Sequence, residues 1–267
     1  MTIQVYIVLF LTLIIYIIGT LAYSVRIVGI KTGRIAVAFA VFNIFALISR
    51  TANTLQAPLL AKTIETSINT GSNSGLLYIF RWIIFMITLA TIIAAFLMPT
   101  FIRLFSKLVE SFSIHRSIPK ILMHGFSKSG VEQFKRSIAI PKKENIYNLK
   151  NFSKLPKKIV LLNLITSSIS FVGVLASLYA GCLNPSLRTT CSTLSSVINS
   201  TATILMFIFI DPFLSIMTDD VIRGEVSETE FNRCITFIIA TLMLGSILAQ
   251  FLLIPAAKII AAIAKFI

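Results

Sequence analysis

The chain has 267 residues, 56% of them hydrophobic and only 13% charged, with a mean hydropathy of +0.91. A soluble domain has no means of hiding that much apolar surface, so the composition points to a membrane protein. The net charge of +14 argues poorly for RNA or DNA binding, because the basic residues gather in connections between apolar runs, where membrane topology puts them.

Windows of about 20 apolar residues predict six spans, near 3–23, 35–58, 76–98, 159–181, 194–217 and 234–255. The predicted fold is therefore all-α and polytopic. The first run, MTIQVYIVLFLTLIIYIIGTLAY, lacks a basic leading region and is too long for the core of a signal peptide, so it reads as a retained span. The connections 24–34, 99–158 and 218–233 hold eighteen of the 24 basic residues. The opposite face holds Lys62, Arg188, Lys258 and Lys265, while Arg50 and Arg81 fall within spans. This asymmetry predicts both termini outside the cytoplasm.

The segment TLAYSVRIVGIKTGRIA (20–36) reads as a short inner turn bearing Arg26, Lys31 and Arg34. Gly29 and Gly33 would let its backbone approach a headgroup closely. Anchoring explains Lys31 and Arg34; Arg26, just past Tyr23, is nearer the bilayer and is a candidate substrate contact.

Span two, within IAVAFAVFNIFALISRTANTLQAPLLAKTIE (35–65), carries Asn43, Arg50, Asn53 and Gln56, with Pro58 near its end. An arginine in an apolar run costs roughly 2.5–3.5 kcal/mol on insertion scales, so it normally faces a bundle interior or a watery cavity. Asn43 and Arg50 are seven apart and Arg50 and Asn53 three apart, so amides flank the guanidinium on one side of the helix. That arrangement suits an anionic, hydroxyl-rich ligand. Arg81, five residues into span three, is expected at a similar depth. It either joins Arg50 around a pyrophosphate, which accepts bidentate guanidinium hydrogen bonds, or snorkels to the outer headgroups.

After Pro99, TFIRLFSKLVESF puts Phe101, Phe105, Leu108 and Phe112 on one face and Arg103, Lys107 and Glu110 on the other, predicting an amphipathic helix in the inner interface. A basic connection, 113–156, follows. It either binds acidic lipid headgroups or simply anchors the inner loop.

A shift of 156 residues aligns Tyr23 with Tyr179, Asn43 with Asn199 and Pro99 with Pro255; a small slip aligns Pro58 with Pro212 and Glu65 with Asp219. Three spans per repeat make two inverted three-helix repeats, 1–112 and 157–267, each ending in an amphipathic helix. Spans two and five, each interrupted at its proline, should meet near the pseudo-twofold axis. In span five, Asp211-Pro212 combines a buried acid with a freed carbonyl. Asp211 is open to three roles: neutralising an arginine, taking up a proton or binding a cation. Asp219 and Asp220 begin an acidic patch that runs on through Glu225, Glu228 and Glu230 and is expected to pair with the basic loop.

Cys182 and Cys191 are expected to stay unpaired. His115 and His124 lie in a basic loop, no metal-ligand spacing occurs, and no phosphate loop, nucleophile elbow or metalloprotease motif is present. No cofactor, metal or enzymatic activity is expected.

The blocks TLAYSVRIVGIKTGRIA, FNIFALISRTANTLQAP, SLYAGCLNPSLRTT, DPFLSIMTDDV and AQFLLIP resemble the Amj family, the alternate lipid II flippases of bacteria. The resemblance spreads over spans one, two, four, five and six, and SRTAN and TDDV are its most specific parts. It implies transfer of lipid II, an undecaprenyl-pyrophosphate-linked disaccharide-pentapeptide, from the inner to the outer leaflet. One departure is Gly19, where the resemblance implies a glutamate before TLAY. Transport of another anionic lipid or a small solute, and a non-transporting membrane scaffold, are the alternatives.

Overall fold

Within hydrocarbon a backbone must satisfy its own polar groups, and runs of twenty or more apolar residues do so by closing into helices. The computed structural model describes residues 2–69, 73–115, 139 and 157–267. Its elements are α1 (Ile3–Leu21), a 3-10 turn (Ala22–Ser24), α2 (Val25–Thr32), α3 (Ile35–Asn69), α4 (Asn73–His115), α5 (Lys157–Leu183), a 3-10 turn (Pro185–Leu187), α6 (Arg188–Leu205), a π-helical turn (Met206–Ile210), α7 (Asp211–Arg223) and α8 (Glu228–Phe266). Among the described residues, six stretches of helix are long and apolar enough to cross a membrane, as predicted.

Most helices overrun the predicted spans. The segment read as an inner turn at 24–34 is the helix α2, with Val25, Ile27, Val28 and Gly29 buried. Its sequence VRIVGIK is apolar enough to pack, and only Gly33, with φ at 65°, turns the chain into α3. Gly29 serves helix packing rather than a headgroup: a Cβ there would stand 2.9 Å from the Ile35 Cα. Both amphipathic tails continue the preceding helix through a proline, Pro99 in α4 and Pro255 in α8. Their apolar faces pack on protein. Phe105 and Val109 meet Val28, Ala38 and Phe42, whereas Ala257, Ile260 and Ala264 join the cluster of Val5, Ile64 and Phe80.

That second cluster also gathers Cys182 and Cys191. The start of α1, the end of α3, the start of α4, the α5–α6 junction and the end of α8 therefore share one end of the bundle, here the terminal end. The opposite, basic end collects α2, the start of α3 and α7 with the start of α8, around Ile27, Leu214, Phe231 and Ile235. The connection expected at 113–156 lies outside the described residues except for two points. Residues 113–115 finish α4, and Ala139 bonds the Thr100 hydroxyl through its N–H (3.0 Å) and its carbonyl (3.1 Å).

Inside the bundle, α8 runs along α5 and α1 runs along α3 and α4. Where α5 meets α8, the Asn163 amide donates to the Thr241 hydroxyl at 2.6 Å and the Ile238 carbonyl at 3.2 Å. Gly245 allows this approach, since a Cβ there would collide with Ser167. Exposed Thr hydroxyls within the spans, such as Thr54, Thr201 and Thr203, bond carbonyls of their own helix, which lowers the cost of leaving them without an outside partner.

Candidate functional site

Spans two and five stand at the periphery and do not pack along each other. They meet at their ends instead. At the terminal end Arg188 Nη2 of α6 lies 3.4 Å from Glu65 Oε1 of α3. At the basic end Arg26 Nη2 of α2 lies 3.2 Å from Asp211 Oδ1 of α7, and its Nη1 donates to Ser215 Oγ at 3.2 Å. The same guanidinium stands 5.3 Å from the centre of the Phe39 ring of α3. From Arg188 to Asp211 the helix advances about 35 Å, and from Phe39 to Glu65 about 39 Å, at 1.5 Å per residue. The two ion pairs thus stand at least the thickness of a hydrocarbon layer, about 30 Å, apart, and the gap from one pair to the other, along which α3 and α6 do not pack, is the cleft.

Both walls of the cleft are polar. On α3, Asn43 and Arg50 are exposed and fall on the side that carries Phe39 and Glu65, while Asn53, also exposed, sits one turn beyond Arg50. Pro58, by lacking an N–H, frees the carbonyl of Thr54 on that side. On α6, Arg188, Ser192, Ser195, Asn199 and Thr203 follow at intervals of four, three, four and four residues and form one stripe. The hydroxyls of Ser192, Ser195 and Thr203 donate to carbonyls of their own helix. Their oxygens remain free to accept. One wall therefore offers cationic and amide donors, and the other mainly acceptors. Between the walls α1 meets α5 at Tyr16 and Phe171, whose rings stack edge-on at 5.4 Å. One turn along α1, a side chain at Gly19 would meet nothing within 4 Å, so the floor opens there.

The end of α6 explains the shape of that wall. The ring of Pro212 clashes with the carbonyl four residues earlier and removes a hydrogen bond, and the helix answers by widening into the π turn Met206–Ile210 just before Asp211. The interruption predicted in span five is there. Span two, by contrast, runs through Pro58 as continuous helix to Asn69.

The structure sorts the predicted site residues. Arg50 lies about 16 Å from the Phe39 level and about 22 Å from Glu65 along α3, near mid-depth, and its side chain has no hydrogen-bond or ion-pair partner among the described residues. Asp211 takes Arg26 as its partner, not Arg50. Gln56 is turned away from the cleft: it is buried, and its amide donates to the Thr12 hydroxyl of α1 at 2.7 Å. Arg81 does not join Arg50. Because α3 extends to Asn69, the two arginines sit about 28 Å and about 12 Å from the terminal ends of their helices. Arg81 is exposed beside α8, where its carbonyl accepts from Gln250 at 2.8 Å. Asp219 and Asp220 make no ion pair among the described residues. The basic loop expected to face them lies outside those residues.

Sequence reasoning missed the Glu65–Arg188 pair and the stripe on α6. The stripe was detectable, since its spacing follows a helix face from Arg188 onward. All three cysteines, Cys182, Cys191 and Cys234, are free and buried, in line with the expectation of unpaired thiols. Among the described residues no group of three or more His, Cys, Asp or Glu is placed to hold a metal ion.

Comparison with known proteins extends this geometry. A family model, Amj, described as "Alternate to MurJ", matches residues 11–264. The chain is 34% identical over 274 aligned residues to a Bacillus subtilis (strain 168) protein called lipid II flippase Amj, covering 99% of this chain and 98% of the relative. No solved structure matches.

Proposed function

The chain belongs to the Amj family, and on that premise we propose that it is a lipid II flippase whose headgroup path is the cleft between α3 and α6. The observation that carries this reading is Arg50, a guanidinium at mid-depth, exposed on a polar wall and without a partner among the described residues. Such a group is costly in lipid and suits a passing anion. The pyrophosphate of lipid II contacts Arg50, with Asn43 and Asn53 beside it, and the sugars and peptide reach the acceptor stripe of α6. The polyprenyl tail stays in the bilayer, which an open-sided cleft allows.

Transport follows by alternating access, with the halves α1–α4 and α5–α8 rocking as inverted repeats. The two ion pairs are the contacts that such a motion breaks in turn. Arg26–Asp211 is the firmer, with side chains 13% and 31% exposed; Glu65–Arg188, at 36% and 59%, is worth only about 0–1 kcal/mol. The terminal end is thus the easier to open. The basic end faces the cytoplasm and both termini lie outside, an orientation supported by the excess of Lys and Arg at that end. A reporter fused after Ile267 should be external; a cytoplasmic signal there overturns the orientation.

The direct test is rescue of a strain depleted of its principal lipid II flippase. Wild type should restore growth and surface-exposed lipid II, and Arg50→Ala, present at normal level in the membrane, should restore neither. A stable Arg50→Ala protein that restores both refutes the contact. If a soluble headgroup without its tail inhibits transport as strongly as lipid II does, the solute-transporter reading takes over.

A further inference from the structure

A second crevice, at the basic end and with Ile102 among its lining residues, has no part in the cleft. It has a volume of about 290 Å3 and lies between the last turn of α2 and the part of α4 that follows Pro99. Lys31 and Thr32 line it from α2, and Arg103, Ser106, Lys107 and Glu110 from α4. The α4 positions lie three, four and seven residues after Arg103 and so share a helix face. The other face of α4 buries Phe105 and Val109 against Val25 and Val28 of α2 and Phe42 of α3. This packing fixes α2 against α4 and holds three cations around one space.

None of Lys31, Arg103 and Lys107 has an ion-pair partner among the described residues. The hydroxyls of Thr32 and Ser106 donate to the Val28 and Ile102 carbonyls at 2.8 Å, so the donors open to an anion are the cations alone. Set against the single carboxylate of Glu110, they leave an uncompensated positive excess, which an entering anion would relieve. The surroundings favour an amphiphile over a soluble ion. Phe96 is 63% exposed and lies seven residues before Arg103 on the same face. That puts it about 10 Å further into the bilayer along α4.

We propose that this crevice binds the phosphate of an anionic phospholipid, with the lipid's acyl chain laid along Phe96. Arg26 and Asp211 point to a different side of the α2 region, so the lipid is a second ligand and not the transported one.

Native mass spectrometry of the purified full-length chain, exchanged into equal amounts of phosphatidylglycerol and phosphatidylcholine, tests this. Wild type should retain phosphatidylglycerol in preference. Lys31→Gln/Lys107→Gln should reduce that preference about thirtyfold, since two basic groups near a membrane surface at about 1 kcal/mol each together contribute about 2 kcal/mol. Lys158→Gln/Arg223→Gln removes the same charge at the same end outside the crevice and should leave the preference intact. Lys31→Arg/Lys107→Arg should keep it as well. An unselective wild type, equal losses in the two glutamine variants, or an unchanged Lys31→Gln/Lys107→Gln protein would each overturn the proposal. Displacement of the lipid by millimolar inorganic phosphate would assign the site to a soluble phosphate instead.

Discussion

The α5–α8 seam and the α3–α6 cleft use similar residues to opposite ends. Half of the spanning windows of α5 and α8 is buried inside the molecule, against 22% for α3 and for the span built from α6 and α7. At the seam polar groups are drawn inside the molecule: Asn163 bonds Thr241, and Gly245 lets Ser167 close in, while the buried hydroxyls of Thr166 and Ser177 on α5 have no hydrogen-bond partner among the described residues. Along the cleft, Arg50, Asn43 and Asn53 are exposed, and the hydroxyls of α6 satisfy only their own backbone. Polar residues that meet a partner rigidify a bundle, whereas polar residues left without one define a path. The difference separates scaffold from route within one six-span protein.

Overfilling the seam should have the largest effect. Gly245→Val would drive a branched side chain into Ser167 and towards the Ser168 backbone; overpacking of this kind costs about 1–3 kcal/mol and sometimes more. Membrane-inserted protein should fall severalfold by immunoblot. Ala57→Val and Ala61→Val, on the exposed wall of α3, should leave the level unchanged, and equal depletion by all three would erase the contrast.

Next in size is a loss of function without loss of protein. Arg50→Ala should lower rescue of the flippase-depleted strain by about 100-fold or more, a size in keeping with removing one strong charged contact. Arg50→Lys, which keeps the charge without the planar fork, should retain part of the activity. Both proteins should accumulate normally, because Arg50 has no partner among the described residues to orphan.

The ion pair at the basic end gives an intermediate effect. Asp211→Ala leaves the mostly buried Arg26 without its carboxylate, and a loss of about 1–3 kcal/mol should appear as a lower Tm and a reduced level in the membrane. Arg26→Ala/Asp211→Ala removes both charges and should recover the level. A double variant no more abundant than Asp211→Ala would show that Arg26 is not the partner that matters.

The smallest effect belongs to the opposite edge of the cleft. Glu65→Gln should lower stability by less than about 1 kcal/mol and shift Tm little, since the pair is exposed to solvent. If opening at that end limits transport, the variant should flip lipid II at least as fast as wild type. A Tm shift as large as that of Asp211→Ala would mean the two ends are equally firm.

Periodicity along one chain can show which residues share a helix face and how long the apolar runs are. From that alone came the six spans, the proline break in span five, the presence of a guanidinium at Arg50 within a span and the lack of any enforced pairing between Cys182 and Cys191. The choice of which face meets which neighbour belongs to packing between helices far apart in sequence. Arg26 and Asp211 lie 185 residues apart, and Glu65 and Arg188 lie 123 apart. Gln56 shows the limit most plainly, because its sequence neighbourhood is as polar as that of Arg50, yet α1 presents Thr12 to it and withdraws it from the cleft. Arg81 fell away from Arg50 for a related reason: α3 overran its apolar stretch by a further three turns, changing the depth of everything counted from its end. Apolar length and periodicity determined the spans and the polar faces, and the tertiary contacts alone decided which of those faces were closed by a partner and which were left open.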